Sequence, residues 1–457
     1  MKISLLRQLP VLLFTLVALS AVVALPQVES AWNGVKEVYG EQDFGFRLLR
    51  EAMLAFIVLY AVLDPAFRRT ALSPKVGLFL ALLAGYSVFE IGYGLSLDLP
   101  LVVPMAGLRV FEYLPLGLIG LAVGLSGAGE SVLARFTSLL RIYIALEGAL
   151  AIAQALWAPP LFGVSLLGGG RPFGTFVSPN LFGAAMATCT LFFALDSRRA
   201  IRRWAYASTF LALLSGSRTA VLSALLVLFF RLYAAARPRD RWALAMPAPL
   251  LSMVLLIAAS SPLVSGREDA DLSKEGRVAL WEKMLGDNID GPVSLLFGWG
   301  LGLGSNTINV VFGSDHFPGQ FDSDSLYLFL LNGFGLLGLI AYLVFMGFTW
   351  RVSGFPHKGL AMAFIFVAGL PFNLWEYFPQ NAMLMFLWGL VMGTPIAVSS
   401  LRPNVFHPDR SQVSGGKPSG GAATAASAAP RPWSRNVRGC IPTEARGAIR
   451  ERGAWER

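Results

Sequence analysis

The sequence predicts an all-α, polytopic integral membrane protein with about twelve transmembrane helices. Of its 457 residues, 55% are hydrophobic and only 14% are charged, whereas soluble domains have about 25% charged residues. The apolar segments are mostly near twenty residues long, which is the length that an α-helix needs to cross a bilayer. They are also continuous, which argues against an outer-membrane barrel, because barrel strands are about ten residues long and alternate in polarity.

Twelve segments are predicted to span the membrane. They lie near residues 8–26, 49–66, 76–97, 102–126, 136–158, 180–196, 204–217, 219–235, 242–264, 324–348, 359–375 and 380–401. Two are marginal in length, 204–217 and 219–235, and Ser-Gly-Ser-Arg lies between them. The first segment is similar to a signal peptide. We interpret it as a retained helix, because the loop charges then alternate consistently.

The distribution of Lys and Arg among the loops predicts the topology. With the N-terminus inside, arginines concentrate in alternate loops such as 198–203 and 231–241, while the intervening loops are mostly acidic. Cytoplasmic loops carry an excess of Lys and Arg. We therefore expect a multi-pass protein of the bacterial inner membrane with both termini in the cytoplasm. Residues 266–325 are then a large periplasmic loop between helices 9 and 10.

The C-terminal part differs in composition from the rest. Residues 1–402 are predicted to form the membrane domain. Residues 403–457 are rich in Pro, Gly, Ala and Ser and are predicted to be a disordered cytoplasmic tail. This tail carries most of the formal net charge of +9, which suits an anionic membrane surface. Membrane lipids are therefore expected partners, and nucleic acid is not.

The long loop is the largest polar interruption in the chain. A connection of about sixty residues between packed elements is usually functional or disordered. This one contains many aromatic residues, so we interpret it as a structured lid that holds part of an active site. Its FGWGLGLGSN stretch lacks the GxxxxGK[ST] pattern of a phosphate loop, and tight turns explain its glycines better. There are only three histidines and no HExxH or CxxC motif, so no catalytic metal or other cofactor is expected.

Three arginines are predicted on the outer side, against the positive-inside rule: Arg171 in GGGRPFGTF, Arg218 in SGSRTA and Arg277 in EGRVALW. The guanidinium fork suits phosphate oxygens and keeps its charge. If the three converge, they would bind a pyrophosphate. The alternative is that each is a solvated anchor at the membrane interface.

Several other charged residues have two open interpretations. Arg109 and Glu112 are three residues apart within a predicted span, so they form a structural ion pair or line an outward cavity. Asp324 precedes the tenth span, where it is a helix N-cap or a general base for a sugar hydroxyl. Glu376 is a second outside carboxylate and the second candidate for the base.

Four stretches resemble the O-antigen ligase and polymerase superfamily of bacterial polysaccharide assembly. They are GRPFGTFVSPNLFGAAMA, SGSRTAVLSALLVLFF, GRVALWEKML followed by LLFGWGLGLGSN, and DSLYLFLLNGFGLLGLIAYLV. They cover roughly residues 170–348 in the order of that family. Ligases of the family typically have a His-Asn pair where this chain has Asp324-Ser325. An aspartate there is more similar to the polymerase members.

The resemblance implies a periplasmic, metal-independent glycosyltransferase that polymerises undecaprenyl-pyrophosphate-linked oligosaccharide repeat units. It implies catalytic roles for Asp324, Arg277 and Arg218. It implies substrate contacts for Arg171, Asn180, Arg109, Trp281 and Glu376. Flippase and chain-length regulator proteins are expected partners beside the lipid-linked oligosaccharide. The alternatives are a ligase, which uses a different acceptor, and a transporter of lipid-linked glycans, which would carry charges along a path through the bilayer.

Overall fold

The computed structural model describes residues 5–32, 44–236, 282, 285–286 and 291–395. Within these ranges the gaps are 160, 162–163, 166, 177, 306–307, 309–311, 313–315, 318–319, 321–324, 371–372 and 375–377. All described residues belong to one compact unit, Met1–Val398. The predicted tail, 403–457, and the ninth predicted span, 242–264, lie outside the described residues.

The described residues form α-helices joined by short turns. The helices are α1 (Leu5–Trp32), α2 (Phe44–Val62), α3 (Pro65–Ala71), α4 (Pro74–Ser96), α5 (Val102–Gly107), α6 (Leu114–Leu125), α7 (Gly129–Trp157), α8 (Pro179–Leu195), α9 (Arg199–Arg202), α10 (Trp204–Leu214), α11 (Arg218–Ala235), α12 (Pro292–Phe297), α13 (Leu326–Val352), α14 (Lys358–Gly369) and α15 (Gln380–Gly393). The only β-type pairing among these residues is an isolated bridge between Val164 and Gly170. The all-α fold class is therefore confirmed for this part of the chain.

Eleven of the twelve predicted spans coincide with helices, but the helices differ in length. Five stretches are long and apolar enough to cross a membrane: Pro74–Ser96, Val102–Leu125, Gly129–Trp157, Arg218–Ala235 and Leu326–Val352. By contrast α10 has 11 residues and extends only about 16 Å at 1.5 Å per residue. It therefore reaches about half of a hydrocarbon core roughly 30 Å thick.

Helix α8 lies at the centre of the bundle. Every residue from Phe182 to Leu195 is buried, and the helix packs against both α10 and α11. A helix that is apolar on all sides is stable only when neighbours surround it. The small residues Gly183, Ala184 and Ala185 let these neighbours approach closely, so α8 is a fixed support for its own N-terminus.

Helices α6 and α15 make the closest helix pair. Their facing surfaces carry Gly120 and Gly124 on α6, and Gly389 and Gly393 on α15. A Cβ atom at any of the four would collide with backbone atoms of the opposite helix. Glycines spaced four residues apart permit such close approach between membrane helices. Van der Waals contact along this seam fixes α15 against α6.

Two long helices are interrupted. Between α5 and α6 the chain forms a 3-10 turn, Leu108–Phe111, which breaks the predicted fourth span. Within α13, Gly335 adopts a φ of +64°, a conformation that favours glycine. A Cβ at Gly335 would collide with the carbonyl group of Leu296, so α12 from the long loop packs against this kink. The two interruptions meet through Phe111 and Phe334, whose ring centroids are 6.2 Å apart.

Candidate functional site

The segment that precedes α8 is fixed to one face of α7. The Gln154 side chain accepts hydrogen bonds from the backbone N–H groups of Phe173 (3.0 Å) and Gly174 (2.8 Å) and donates one to the Gly174 carbonyl (2.9 Å). Glu147 accepts from the Thr175 N–H at 3.0 Å and from the Thr175 hydroxyl. Gln154 and Glu147 are both buried. The pattern of polar side chains on α7 therefore determines the path of this segment.

These contacts place the segment below the end of α7. Glu147 lies ten residues before Trp157, the last residue of α7, which corresponds to about 15 Å along the helix axis. Irregular backbone at membrane depth is stable only where protein or a water-filled cavity satisfies its polar groups. Glu147 and Gln154 provide these partners, so the segment re-enters the bundle before α8 begins.

Arg171 connects this segment to the turn between α10 and α11. Its side chain donates to the Ser215 carbonyl through Nε (3.0 Å) and Nη2 (2.9 Å), and Nη2 lies 3.5 Å from Oδ1 of Asn180. The residue is buried, with 7% of its surface exposed. The Ser215 carbonyl lies at the C-terminal end of α10, where the helix dipole is negative. The guanidinium therefore caps α10 and holds the turn in place.

The Ser-Gly-Ser-Arg sequence forms a tight turn at this position. Gly216 has a φ of +66°, and the Ser215 hydroxyl accepts a hydrogen bond from the Ser217 N–H at 3.1 Å. Gly183 of α8 faces the turn, because a Cβ there would lie 2.5 Å from the Ser215 hydroxyl. The turn is thus packed on α8 and bonded to Arg171.

Arg218 is the first residue of α11 and is half-buried. A cation at a helix N-terminus is electrostatically unfavourable, whereas an anion there is stabilised by the helix dipole and by unpaired N–H groups. The hydroxyls of Ser217 and Thr219 flank Arg218 and lie 3.4 Å apart. This N-terminus has the donors and the positive charge that a phosphate group would require.

The predicted arginines are only partly brought together. Arg171 and Arg218 occupy the two sides of the same turn, as the interpretation of a shared site expects. Asn180 lies beside Arg171, next to Ser178, which caps α8 by accepting from the Leu181 N–H. Arg277, Trp281, Asp324 and Glu376 lie outside the described residues, so the structure places none of them. Ser325 occupies the N-cap position of α13, and both interpretations of Asp324 stay predictions.

Arg109 belongs to a second charged cluster. Its Nε lies 3.5 Å from Oε2 of Glu112, which is the ion pair that their spacing predicts. Arg50 of α2 adds a guanidinium 3.9 Å from Oε1 of Glu112 and also binds Glu51. Arg50 and Glu51 were not among the predicted site residues. Two adjacent charged residues at the start of the predicted span 49–66 are the signal that could have identified them.

The Phe378–Gln380 segment lies between the two clusters. The ring of Phe378 stacks on Tyr113, with centroids 5.8 Å apart, and the Arg50 guanidinium lies 5.1 Å from its centroid. Two residues later, Gln380 donates to the Leu181 carbonyl at 3.0 Å. Leu181 follows Asn180, so the N-terminus of α15 contacts both the Arg171 side and the Arg109 side of the site.

The glycine-rich stretch of the long loop is packed against the helices. Gly298, Gly300 and Gly302 all have positive φ, which agrees with the predicted tight turns. The Trp299 N–H donates to the Asn332 carbonyl at 2.7 Å, and Tyr93 donates to the Gly298 carbonyl at 3.2 Å. The described part of this stretch therefore bonds to α4 and to the kinked helix α13.

Sequence reasoning missed the residues that shape this site without carrying its charge, chiefly Gln154 and Ser215. Gln154 was detectable in principle, because a polar amide inside an apolar span needs a partner. Ser215 lies in the SGSRTA motif, but it binds Arg171 through its carbonyl group, which every residue has, so the motif does not predict this contact.

The comparisons with known proteins agree with the motifs. A protein-family model described as O-antigen ligase matches residues 204–343, which include Arg218, Arg277, Trp281 and Asp324. Arg171 lies outside the matched residues but bonds to Ser215 within them. No curated protein and no solved structure matches the chain. The resemblance is therefore confirmed: this membrane protein carries, at residues 204–343, a domain of the O-antigen ligase family.

Proposed function

We propose that the protein polymerises undecaprenyl-pyrophosphate-linked oligosaccharide repeat units on the periplasmic face of the inner membrane. The product would be an exopolysaccharide or an O-antigen. The observation that carries this proposal is the pair of hydrogen bonds from Arg171 to the Ser215 carbonyl. Ser215 begins the turn that leads to Arg218 at the N-terminus of α11. The O-antigen ligase match over 204–343 gives the class of chemistry.

The main requirement of the reaction is stabilisation of the negative charge on the leaving lipid pyrophosphate. The acceptor oxygen attacks the anomeric carbon of the donor sugar, the bond from that carbon to the pyrophosphate breaks, and the lipid pyrophosphate departs with the electron pair. Arg218 and Arg277 neutralise the charge that develops there, as fixed cations do in other transfer reactions. Arg171 positions the turn and completes the positive site. A metal is not required, because the arginines supply the charge.

The remaining roles follow the same scheme. Asp324 accepts the proton of the acceptor hydroxyl, with Glu376 as the second candidate for this role. Asn180 and Trp281 contact the substrate, and the long loop orients the acceptor so that proximity contributes to the rate. Aspartate at position 324, which resembles the polymerase members, supports polymerisation over ligation. Flippase and chain-length regulator proteins would supply the substrate and limit product length.

A ligase is the second candidate, because it shares the donor and the family description. The two functions differ in their product. In a deletion strain, loss of polymerase leaves single repeat units on the final acceptor, whereas loss of ligase leaves polymer on the lipid carrier. A glycan transporter is the third candidate, and purified protein that lengthens lipid-linked glycan without a membrane gradient would exclude it.

The direct test is replacement of Arg218 by Ala, followed by an assay of lipid-linked repeat units in reconstituted membranes. A charge-assisted contact contributes about 1.5–3 kcal/mol, so turnover should fall at least roughly tenfold. Arg218→Lys should restore part of the activity, because lysine keeps the charge without the fork. EDTA should have little effect.

Arg135→Ala is the matched control, since Arg135 is an exposed arginine on α7 at the predicted cytoplasmic end. It should retain wild-type turnover and membrane level. Wild-type turnover by Arg218→Ala, in protein confirmed at normal membrane level, would contradict the proposed role.

A further inference from the structure

The charged cluster at the break between α5 and α6 contains three charged residues besides Arg109. Arg109 and Glu112 lie in and directly after the 3-10 turn, and Arg50 and Glu51 come from α2. Arg50 donates to Glu51 through Nε at 2.9 Å and reaches Glu112, which in turn contacts Arg109. Four charged side chains from two helices therefore form one network.

This network is open on one side. The side chains of Arg109 and Glu51 are 45% and 38% exposed, whereas Arg50 and Glu112 are 13% and 17% exposed. Charged groups inside a membrane domain are costly, and they face the bundle interior or a water-filled cavity. The interruption of the helix at the same position also requires polar surroundings. We therefore expect the exposed half of the network to face polar surroundings rather than lipid.

The network is connected to the proposed donor site through residues 378–380. Phe378 packs under the Arg50 guanidinium, and Gln380 bonds to the residue after Asn180. A ligand bound to the network would contact the Phe378 side of this segment, and Gln380 contacts the residue next to Asn180. Such an arrangement suits an acceptor that must come into contact with the lipid-linked donor.

The charge balance of the network indicates which ligand it binds. Two guanidinium groups are offset by two carboxylates, so a pyrophosphate would meet Glu51 and Glu112 and be repelled. A sugar hydroxyl is neutral and both donates and accepts hydrogen bonds. Carboxylates as acceptors and guanidinium groups as donors, fixed beside an aromatic ring, match a polyhydroxylated ligand.

We propose that Arg50, Glu51, Arg109 and Glu112 form the subsite for the acceptor sugar. Glu112, oriented by both arginines, accepts hydrogen bonds from acceptor hydroxyls, and Arg109 donates to the acceptor ring or its substituents. This inference rests on the proposed function in treating the Arg218 turn as the donor pyrophosphate site. It assigns Arg109, which was predicted to contact the substrate, to the acceptor.

The test measures two ligands separately on full-length protein in lipid nanodiscs. One probe is undecaprenyl pyrophosphate. The other is the oligosaccharide repeat unit of the host strain, released from its lipid. Glu112→Gln should weaken oligosaccharide binding at least about tenfold and leave undecaprenyl pyrophosphate binding within about twofold of wild type. Arg218→Ala should show the opposite pattern, and the exposed carboxylate variant Glu130→Gln should bind both probes normally.

The outcomes separate the two proposals. Normal oligosaccharide binding by Glu112→Gln, loss of both ligands in that variant, or no oligosaccharide binding by wild type would overturn the acceptor subsite. Glu112→Asp keeps the charge and should recover part of the oligosaccharide affinity. A purely structural role would instead lower thermal stability without this recovery. Failure of wild type to bind undecaprenyl pyrophosphate, or normal binding by Arg218→Ala, would contradict the proposed function and leave the oligosaccharide measurement valid.

Discussion

At the scale of single residues, the buried polar side chains of Gln154 and Arg171 have specific backbone partners. Gln154 forms hydrogen bonds with three backbone groups of the segment before α8. Arg171 donates to the Ser215 carbonyl at the C-terminal end of α10. These groups have no water to bond with in the membrane interior, so each partner contributes to fixing the site. Burying a polar side chain such as Gln154 in a membrane span costs free energy, and here that side chain fixes the backbone of the proposed site.

Asp196 plays a corresponding structural role at the predicted cytoplasmic end. It follows α8 and accepts hydrogen bonds from the Arg198 N–H (2.8 Å), the Arg198 guanidinium and the Thr137 hydroxyl. Burial alone would raise the pKa of this carboxyl group, but the hydrogen bonds from Arg198 and Thr137 outweigh it and the pKa is lowered. The ionised form therefore joins the ends of α7 and α8.

This lowered pKa predicts a loss of stability in acid. The unfolded carboxyl group titrates near pKa 3.9, above the folded value, so the unfolded state binds more protons as the pH falls. The contribution of Asp196 is present above about pH 4 and is lost as the pH falls towards the folded pKa. Thermal unfolding in detergent should show Asp196→Asn less stable than wild type at pH 7, with the difference shrinking below about pH 4.

The exposed carboxylate variant Glu130→Gln serves as the control and should follow wild type at each pH. A difference between Asp196→Asn and wild type that stays constant from pH 7 to pH 3 would show that ionisation of Asp196 does not stabilise the fold.

At the scale of elements, close packing of glycine faces and breaks in helices organise the bundle. The seam between α6 and α15 determines where α15 begins, and therefore where Phe378 and Gln380 contact the site. The kink at Gly335 makes room for α12 and the glycine-rich stretch of the loop. Both features depend on the absence of a Cβ atom at a few positions.

The seam gives a prediction at this scale. Gly389→Val should separate α6 and α15, because its side chain would collide with the carbonyl group of Gly117. Overpacking typically costs about 1–3 kcal/mol, and more where only backbone can move. The amount of monodisperse protein after detergent extraction, measured by size-exclusion chromatography, should fall severalfold.

Gly85→Val is the matched control, since a Cβ at Gly85 of α4 has no atom within 4 Å. It should extract like wild type. Equal yields from the two valine variants would mean that the seam is not needed for assembly.

At the scale of the whole molecule, the residues of the proposed site lie at one end of the helix bundle. Arg171, Arg218 and Phe378 lie at the same end of the bundle as the start of α13, where the long loop ends. Asp196 and Arg198 lie at the opposite end of α8. The loop charges predict that the first end is periplasmic and the second is cytoplasmic.

Reporter fusions test this orientation. A cytoplasmic reporter placed after Arg203 should be active, and one placed after Asp290 should be inactive. A periplasmic reporter should give the reverse. The same signal from both positions with either reporter would contradict the topology, because an odd number of membrane crossings is predicted between them.

Features that depend on residues close together in the sequence could be predicted from the sequence alone. The positions of the helices depend on local hydrophobicity, so the sequence determined several of them, for example α4 and α11, within a few residues. The predictions of the loop arginines and of the Arg109–Glu112 pair use charge and a spacing of three residues, which are also local features of the sequence. The family motifs led to the arginines and to Asn180 for the same reason.

The tertiary structure alone decided the partners that lie far apart in the chain. Arg171 bonds to a carbonyl group 44 residues away, and Arg50 reaches Glu112 from another helix. Neither contact produces a periodic pattern in the sequence, because each depends on how whole helices pack against one another. The sequence by itself determined a helical membrane protein and the arginines of the proposed site. Packing of the helices decided that Arg171 bonds to the turn before Arg218, and that Arg50 and Glu51 join Arg109 and Glu112 in one charged network.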